Sequence, residues 1–492
     1  MGFGLRRYLE PLVKTALMTM VSESTQGRFS LNIARLDIRL LNGGFSMSDV
    51  VLASDSTVAT VARVDVRRIG VIRFLRHREL RIGSIRIEAP SIDHMPSLPK
   101  SSAETDSLPP VMARLYDAIH PSMKSISITS ISMDNGLLSI RNRVGGYVMF
   151  NAAGLQFTLN NIRIDSTLTI PSDFDFGAHS VAWNMDTSPY RLQTGRIDGS
   201  TSAQMISIED AKWVPLAGYE AFAMTLRRHN RVAFDLVKLE ISGWNVDAFL
   251  HGDGFVVAQI SLHAPSLEVA HDKRLPPKPF KVRKLMHLML EDLPIPVDVD
   301  LIRIHNGKIV YRHRHQDHDV PAMLTFDDLS STLTHVSKTS SSEMVMHTET
   351  RVMGEGRLTV DARFASDDAT GRHTVKGRFI QSSFASFNPV LENMVFMKAT
   401  GGYLNRMEFE MELDDHSSTG AVTMDYEGVT VRMLGDGQRL KTFIANQFIL
   451  NKDHTGKDSV PHRIEYVRLQ EKNLFHYWWM SLFSGMKPVL GM

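Results

Sequence analysis

The segment Ser30–Ser54, SLNIARLDIRLLNGGFSMSDVVLAS, decides how the chain is read. Its apolar residues fall at Leu31, Ile33, Leu36 and Ile38, and again at Phe45, Met47, Val50 and Leu52. Each set is two alternating pairs separated by one extra residue. Alternation with period two puts one face of a strand on apolar ground and the other in water. The extra residue would turn the second pair outward, unless a β-bulge bends the strand and restores the facing.

The same phrase returns at Val64, Val66, Ile69, Val71 and at Leu80, Ile82, Ile85, Ile87. It recurs at Ile126, Ile128, Ile131, Met133; at Phe157, Leu159, Ile162, Ile164; and at Ile206, Ile208, Ala211, Trp213. Later copies are Phe234, Leu236, Leu239, Ile241; Phe255, Val257, Ile260, Leu262; Val297, Val299, Ile302, Ile304; and Phe443, Ala445, Phe448, Leu450. Off-phase residues are polar, among them Asp37, Arg39, Arg163 and Asp165. Repeated bulges curve a sheet. The expectation is a mainly β chain: a long, curved and twisted antiparallel sheet with one apolar face, forming an open, taco-like groove. At one strand per roughly 15–20 residues it would hold about 25 strands. Short helices would cap it at the N-terminus, mid-chain and C-terminus.

A longer repeat overlies the phrase. IRIEAPSID from Ile85 matches ISLHAPSLEVA from Ile260. A Pro-rich linker follows each, then a short helical stretch, VMARLYDAIH from Val111 and KVRKLMHLMLEDL from Lys281. Next come strands ending in Asn135-Gly136 and Asn306-Gly307, read as hairpin turns, and then the patterned strands FTLNNIRID from Phe157 and LTFDDLSSTL from Leu324. The repeat predicts an N-terminal cap over 1–30 and a first groove segment over 31–200 with its linker at 97–110. A second segment over 201–460 has its linker at 272–279, and an aromatic helical end covers 461–492.

Composition narrows the function classes. The chain has 492 residues, 43% hydrophobic and 22% charged, which excludes wholesale disorder. Its 55 basic and 54 acidic residues give a net charge of +1, so bulk charge does not draw it to nucleic acid. With no cysteine there are no disulfides, thiolate metal sites or thiol nucleophiles. No nucleophile elbow, phosphate loop or HExxH pattern is present. The reading is non-enzymatic, with no catalytic residue, cofactor or metal site. His313, His315 and His318 have spacings that could bring two imidazoles together, but a metal site would also need a converging third ligand and a fixed second shell. Asp327-Asp328 and Asp414-Asp415 read as solvated turns. Arg67, Arg68, Arg73, Arg76, Arg78 and Arg81 read as an outer face, with anionic headgroups as the alternative.

A curved sheet with too few helices to cover it leaves an apolar strip open, and such strips are ligand or partner sites. Acyl chains gain about 0.8 kcal/mol per buried methylene in such surroundings. The 27 methionines suit variable apolar ligands and equally suit gap filling. The expected lining residues are Leu36, Ile38, Ile85, Ile87, Ile131, Met133, Ile162, Ile164, Leu239, Ile241, Ile260, Leu262, Ile302 and Ile304.

Tyr8–Ser54 resembles the N-terminal region of the AsmA family, where a short helix precedes curved strands with a Gly-containing turn, here Asn42-Gly43-Gly44. IRIEAPSID and VDVDLIRIHNGKIVYRH resemble that family's recurring strand units. The resemblance implies a periplasmic, inner-membrane-associated envelope protein of the AsmA/TamB type. It would carry phospholipid or another acyl-chain lipid between membranes and support outer-membrane biogenesis. Family members begin with an inner-membrane helix, whereas Leu5–Val21 is amphipathic, carrying Arg6, Arg7, Glu10 and Lys14. At the other end Phe475, Tyr477, Trp478, Trp479 and Phe483 read as a membrane-contacting helix or as a plug for the groove end. The alternative function is a structural scaffold that binds an envelope protein through the apolar face or a sheet edge.

Overall fold

A computed structural model of the chain describes residues 2–39, 43–96, 124–165, 173–185, 188–227, 230–276, 280–316, 320–337, 342–365, 368, 370–434, 453–455 and 459–490. The linker 97–110, the helical stretch from Val111, the phrase Phe443–Leu450, Asn42 and His318 lie outside them. The protein is mainly β, 61% strand and 16% helix. It has two compact units, Met1–Ala211 and Lys212–Met492.

The first unit holds β1 (Ser30–Arg39), β2 (Gly44–Ala53), β3 (Thr57–Arg67), β4 (Glu79–His94), β5 (Ser125–Arg141) and β6 (Val148–Ile164). The short strands β7 (Phe174–Ala178), β8 (Ser180–Asn184), β9 (Tyr190–Thr194) and β10 (Ile197–Ser200) follow. β11 (Met205–Pro215) runs through the division between the units, which was expected at 200/201. The helix Gly2–Ser24 packs on β1.

The second unit holds β12 (Asn230–Ser242), β13 (Phe255–His263), β14 (Ser266–Asp272), β15 (Val297–Arg314) and β16 (Ala322–Ser337). It continues with β17 (Met344–Val352), β18 (Gly356–Phe364), β19 (His373–Ser383), β20 (Met397–Leu413), β21 (Ser417–Met433) and β22 (His462–Val467). Short helices at Tyr219–Met224, Val246–His251 and Asn388–Val395, 3-10 turns at His287–Asp292 and Phe384–Phe387, and the helix Leu474–Leu490 lie among these strands.

The 22 strands form one mixed sheet, in which pairing is mostly antiparallel between chain neighbours. β4 runs parallel to β5, and β13 and β14 run parallel to β15. The linkers explain this: 30 and 24 residues separate β4 from β5 and β14 from β15, enough to return the chain to the starting end. The two parallel joints sit at equivalent points of the internal repeat. Ile85 pairs with Ile131 and Ser91 with Leu137; Ile260 pairs with Ile302 and Ser266 with Lys308.

In three copies, at Asp49, Asn161 and Asp210, the extra residue of the phrase takes a left-handed backbone; Ala89, Asn135, Ala264 and Asn306 take it two residues past the last apolar position of their phrases. Asp49, Ala89, Asn135, Asn161, Asp210, Ala264, Asn306 and Asp328 all have φ between 46° and 54°. Matched positions of the repeat share it: Ala89 with Ala264, Asn135 with Asn306, Asn161 with Asp328. Asn and Asp tolerate this region because their short side chains bond locally.

Three readings are corrected here. Asn135-Gly136 and Asn306-Gly307 are not hairpin turns but lie inside the long strands β5 and β15, at register shifts. Only the Asn of each pair has positive φ, whereas a tight I′ turn needs it at both residues. Asp327-Asp328 likewise sits at the matching bulge of β16, where Asp328 pairs with Arg351 and Asp327 with Lys308 at 3.0 Å. The phrase of β3 is Ala59, Val61, Val64, Val66, because Ile69 and Val71 lie beyond the strand and Val71 opens the helix Val71–His77.

Since β-branched residues resist positive φ, Asn135→Val and Asn306→Val are each expected to cost about 1–3 kcal/mol. Asn135→Gly should be close to neutral. Denaturant unfolding of the full chain reads the difference, and equal stability of the Val and Gly variants would refute the bulge assignment.

Candidate functional site

Strand register carries apolar residues across the sheet in continuous rows. Residues paired on adjacent strands share a face. In the first unit one row runs Leu36, Met47, Val64, Ile87, Met133, Phe157, Phe176, from β1 to β7. Beside it runs Ile38, Phe45, Val66, Ile85, Ile131, Leu159, Phe174. Six strand spacings make each row about 29 Å long. Most of these residues are half-buried; Leu36 and Val66 are buried. Ile162 and Ile164 form a closed cluster with Ile128, against which Ile85 and Ile131 pack.

In the second unit Ile241, Ile260, Ile302, Leu333, Met346, Ala362, Val375, Met411, Gly420 and Ile464 follow one another from β12 to β22. The neighbouring row, Leu239, Leu262, Ile304, becomes polar at Ser331, whose hydroxyl shares a 2.7 Å hydrogen bond with Thr348. All fourteen expected lining residues therefore fall on these rows or in the Ile128 cluster.

Exposure changes along the second unit. Ile260, Ile302, Leu333 and Met346 are half-buried, while Ala362, Val375, Met411 and Ile464 are buried. The C-terminal helix covers that end. Its inward residues Leu474, Tyr477, Ser481, Leu482 and Val489 are buried, and Ser418 donates to the Ser481 hydroxyl at 2.7 Å. The Tyr426 hydroxyl donates to the Val489 carbonyl at 3.0 Å. Gly485 lets the helix approach closely: a Cβ there would lie 2.7 Å from both Ile464 and Val422.

Of the five residues read as membrane-contacting, Tyr477 is only 1% exposed and faces the sheet. Trp478 turns inward too, donating from Nε1 to His373 Nε2 at 3.0 Å. Phe475 and Trp479 remain exposed, and Phe483 stacks on Trp479 with ring centroids 5.9 Å apart. The helix thus divides the two readings between its faces. Helical periodicity contained this split, since 475, 479 and 483 are four apart and 474, 477 and 481 form the other face.

The buried end also holds a polar knot that the sequence did not announce. Arg468, with a fully buried side chain, pairs with the Asp415 carboxylate and donates to the Arg283 carbonyl, and its guanidinium lies 5.9 Å from the Tyr477 ring centroid. Asp414-Asp415 does occupy the β20–β21 turn, Asp414 accepting from the His416 and Ser417 amides.

Three histidines are held neutral by burial. His373 and His287 lie at this end, with Phe364 4.9 Å from the His287 ring and Arg468 adding repulsion at His373. His313 is buried in β15, 5.4 Å from His271 on β14. Desolvation lowers each from 6.5 to about 4. Because the unfolded chain binds these protons first, their stabilisation is complete above about pH 6.5 and is lost as pH falls towards 4. Resistance to urea is expected to fall steeply as pH drops across that window, and His373→Gln should flatten the fall. An unchanged slope in that variant would remove His373 from the account.

No group of three or more His, Asp or Glu able to hold a metal occurs among the described residues. The basic run Arg67–Arg81 is exposed, and Arg73 pairs with Glu79 at 2.9 Å. No helix among the described residues is long and apolar enough to cross a membrane. The chain matches no family model and no curated protein.

Proposed function

We propose that the protein is a non-enzymatic carrier of acyl-chain lipid, and that the apolar rows are the path its cargo occupies. The observation that carries this is the unbroken register from Leu36 to Phe176 and from Ile38 to Phe174, with most side chains only half-buried. An aliphatic surface that long attracts chains rather than compact polar ligands, since transfer from water gains about 0.8 kcal/mol per methylene. The lipid headgroup stays wet beside the strands while the tail lies along a row. Phospholipid, a periplasmic setting at the inner membrane and a part in outer-membrane biogenesis follow from the AsmA resemblance and belong to the same proposal.

Protein purified without detergent, extracted and analysed by mass spectrometry is expected to yield near-stoichiometric phospholipid. Lipid-free protein that instead retains a protein partner on these rows would overturn the reading in favour of a scaffold.

A further inference from the structure

We propose that the outward face of the C-terminal helix and the adjoining mid-chain segment Phe280–Ile295 form a docking surface for an anionic lipid bilayer. The two pieces are joined directly. The Arg283 amide donates to the Gln470 carbonyl at 2.9 Å, and Arg468 donates back to the Arg283 carbonyl. His287 and Trp478 both pack on His373, with ring centroids 5.4 and 6.0 Å away.

Around this joint the protein leaves apolar side chains in water. Phe280 is 71% exposed, Phe475 60% and Trp479 54%. Val282, Met286 and Met289 are exposed on the mid-chain segment. The opposite face of the same helix is packed to near-zero exposure at Tyr477, Ser481 and Val489. A large exposed patch of this kind marks an interaction site.

The charges choose the partner. Lys281, Arg283 and Lys284 interleave the apolar residues of the segment, and Lys472 and Lys487 flank the aromatic stripe, all five exposed. Lys487 lies 5.3 Å over the Phe483 ring. Within residues 280–295 and 471–490 the carboxylates are Glu291, Asp292 and Glu471, and the exposed Glu465 lies beside the helix; Asp292 is taken by Lys284 at 2.6 Å, and Glu471 lies 3.6 Å from Lys472. Aromatic rings four residues apart with lysines at both ends fit a bilayer interface, where rings enter the acyl boundary and ammonium groups reach lipid phosphates. This surface stands apart from the rows and does not depend on their carrying lipid.

The test is flotation of the full chain with phosphatidylcholine vesicles, with and without about 30% phosphatidylglycerol. Wild type is expected to float with the anionic vesicles and to lose most of that binding in high salt. Phe475→Ser with Trp479→Ser, and separately Val282→Ser with Met286→Ser, should each weaken binding about tenfold or more. All four positions are exposed, so thermal melting should not move. Val144→Ser, 91% exposed in the other unit, should bind as wild type does. A variant with carboxylates on the rows should also float normally, which separates this surface from the proposed path. No flotation of wild type, equal flotation on neutral vesicles, or full binding by both double variants would overturn the proposal; so would wild type that ignores vesicles and associates with protein instead.

Discussion

Ile87→Asp combined with Met133→Asp is expected to give a folded protein that carries no lipid. The two residues are register partners across the parallel β4–β5 joint, in the middle of the first unit's row. Both are half-buried, so their carboxylates can reach water in the empty protein, and the fold should survive. A bound acyl chain would have to cross two charges it cannot solvate. That costs several kcal/mol, and occupancy should fall by about 100-fold or more. Mass spectrometry of co-purified lipid reads the loss, and circular dichroism confirms the strands. Ile162 would be a poor choice for the same experiment. It is buried beside Ile128 and Ile164, so an aspartate there would disrupt the core itself. Lipid retained at wild-type level by the Ile87/Met133 variant would reject the path.

Arg468→Met should produce a large loss of stability in the second unit, on the order of 1–3 kcal/mol. The substitution leaves a slightly smaller apolar side chain in a fully buried site and removes the guanidinium that pairs with the part-buried Asp415 carboxylate and donates to the Arg283 carbonyl. An uncompensated buried polar group costs more than its pair contributed. The effect should be local at first. Segment Phe280–Ile295 and helix Leu474–Leu490 both hang on this residue, so limited proteolysis should cut at the C-terminus before the sheet unfolds. Adding Asp415→Leu should recover part of the loss by removing the stranded charge. A single variant that melts with wild type and resists protease would show that the knot is dispensable.

Much of this was legible in Ser30–Ser54 and its echoes. The period-two pairs required strands, and the extra residue required a break that keeps the facing. Asp49, Asn161 and Asp210 occupy that break in left-handed backbone, as residues with short local hydrogen bonders can. The internal repeat was legible too, down to Ala89 with Ala264. Reading Asn-Gly as a turn failed because a dipeptide preference does not say whether one or both residues need positive φ. Neighbouring strands decide that, and here β6 and β16 supply the compensating shift.

The sequence by itself determined which residues are apolar on each strand, since alternation is a property of one chain segment. It also determined the two faces of the C-terminal helix through their spacing. Only the tertiary structure decided that β4 and β5 run parallel, that single-strand patterns join into rows, and that the row of the second unit is closed from Ala362 to Ile464. It alone brought Arg468 to Asp415 and Arg283, and Trp478 to His373. The physical reason is that register, closure and buried polar pairing depend on partners distant in the chain. Local periodicity carries no information about which distant partner arrives.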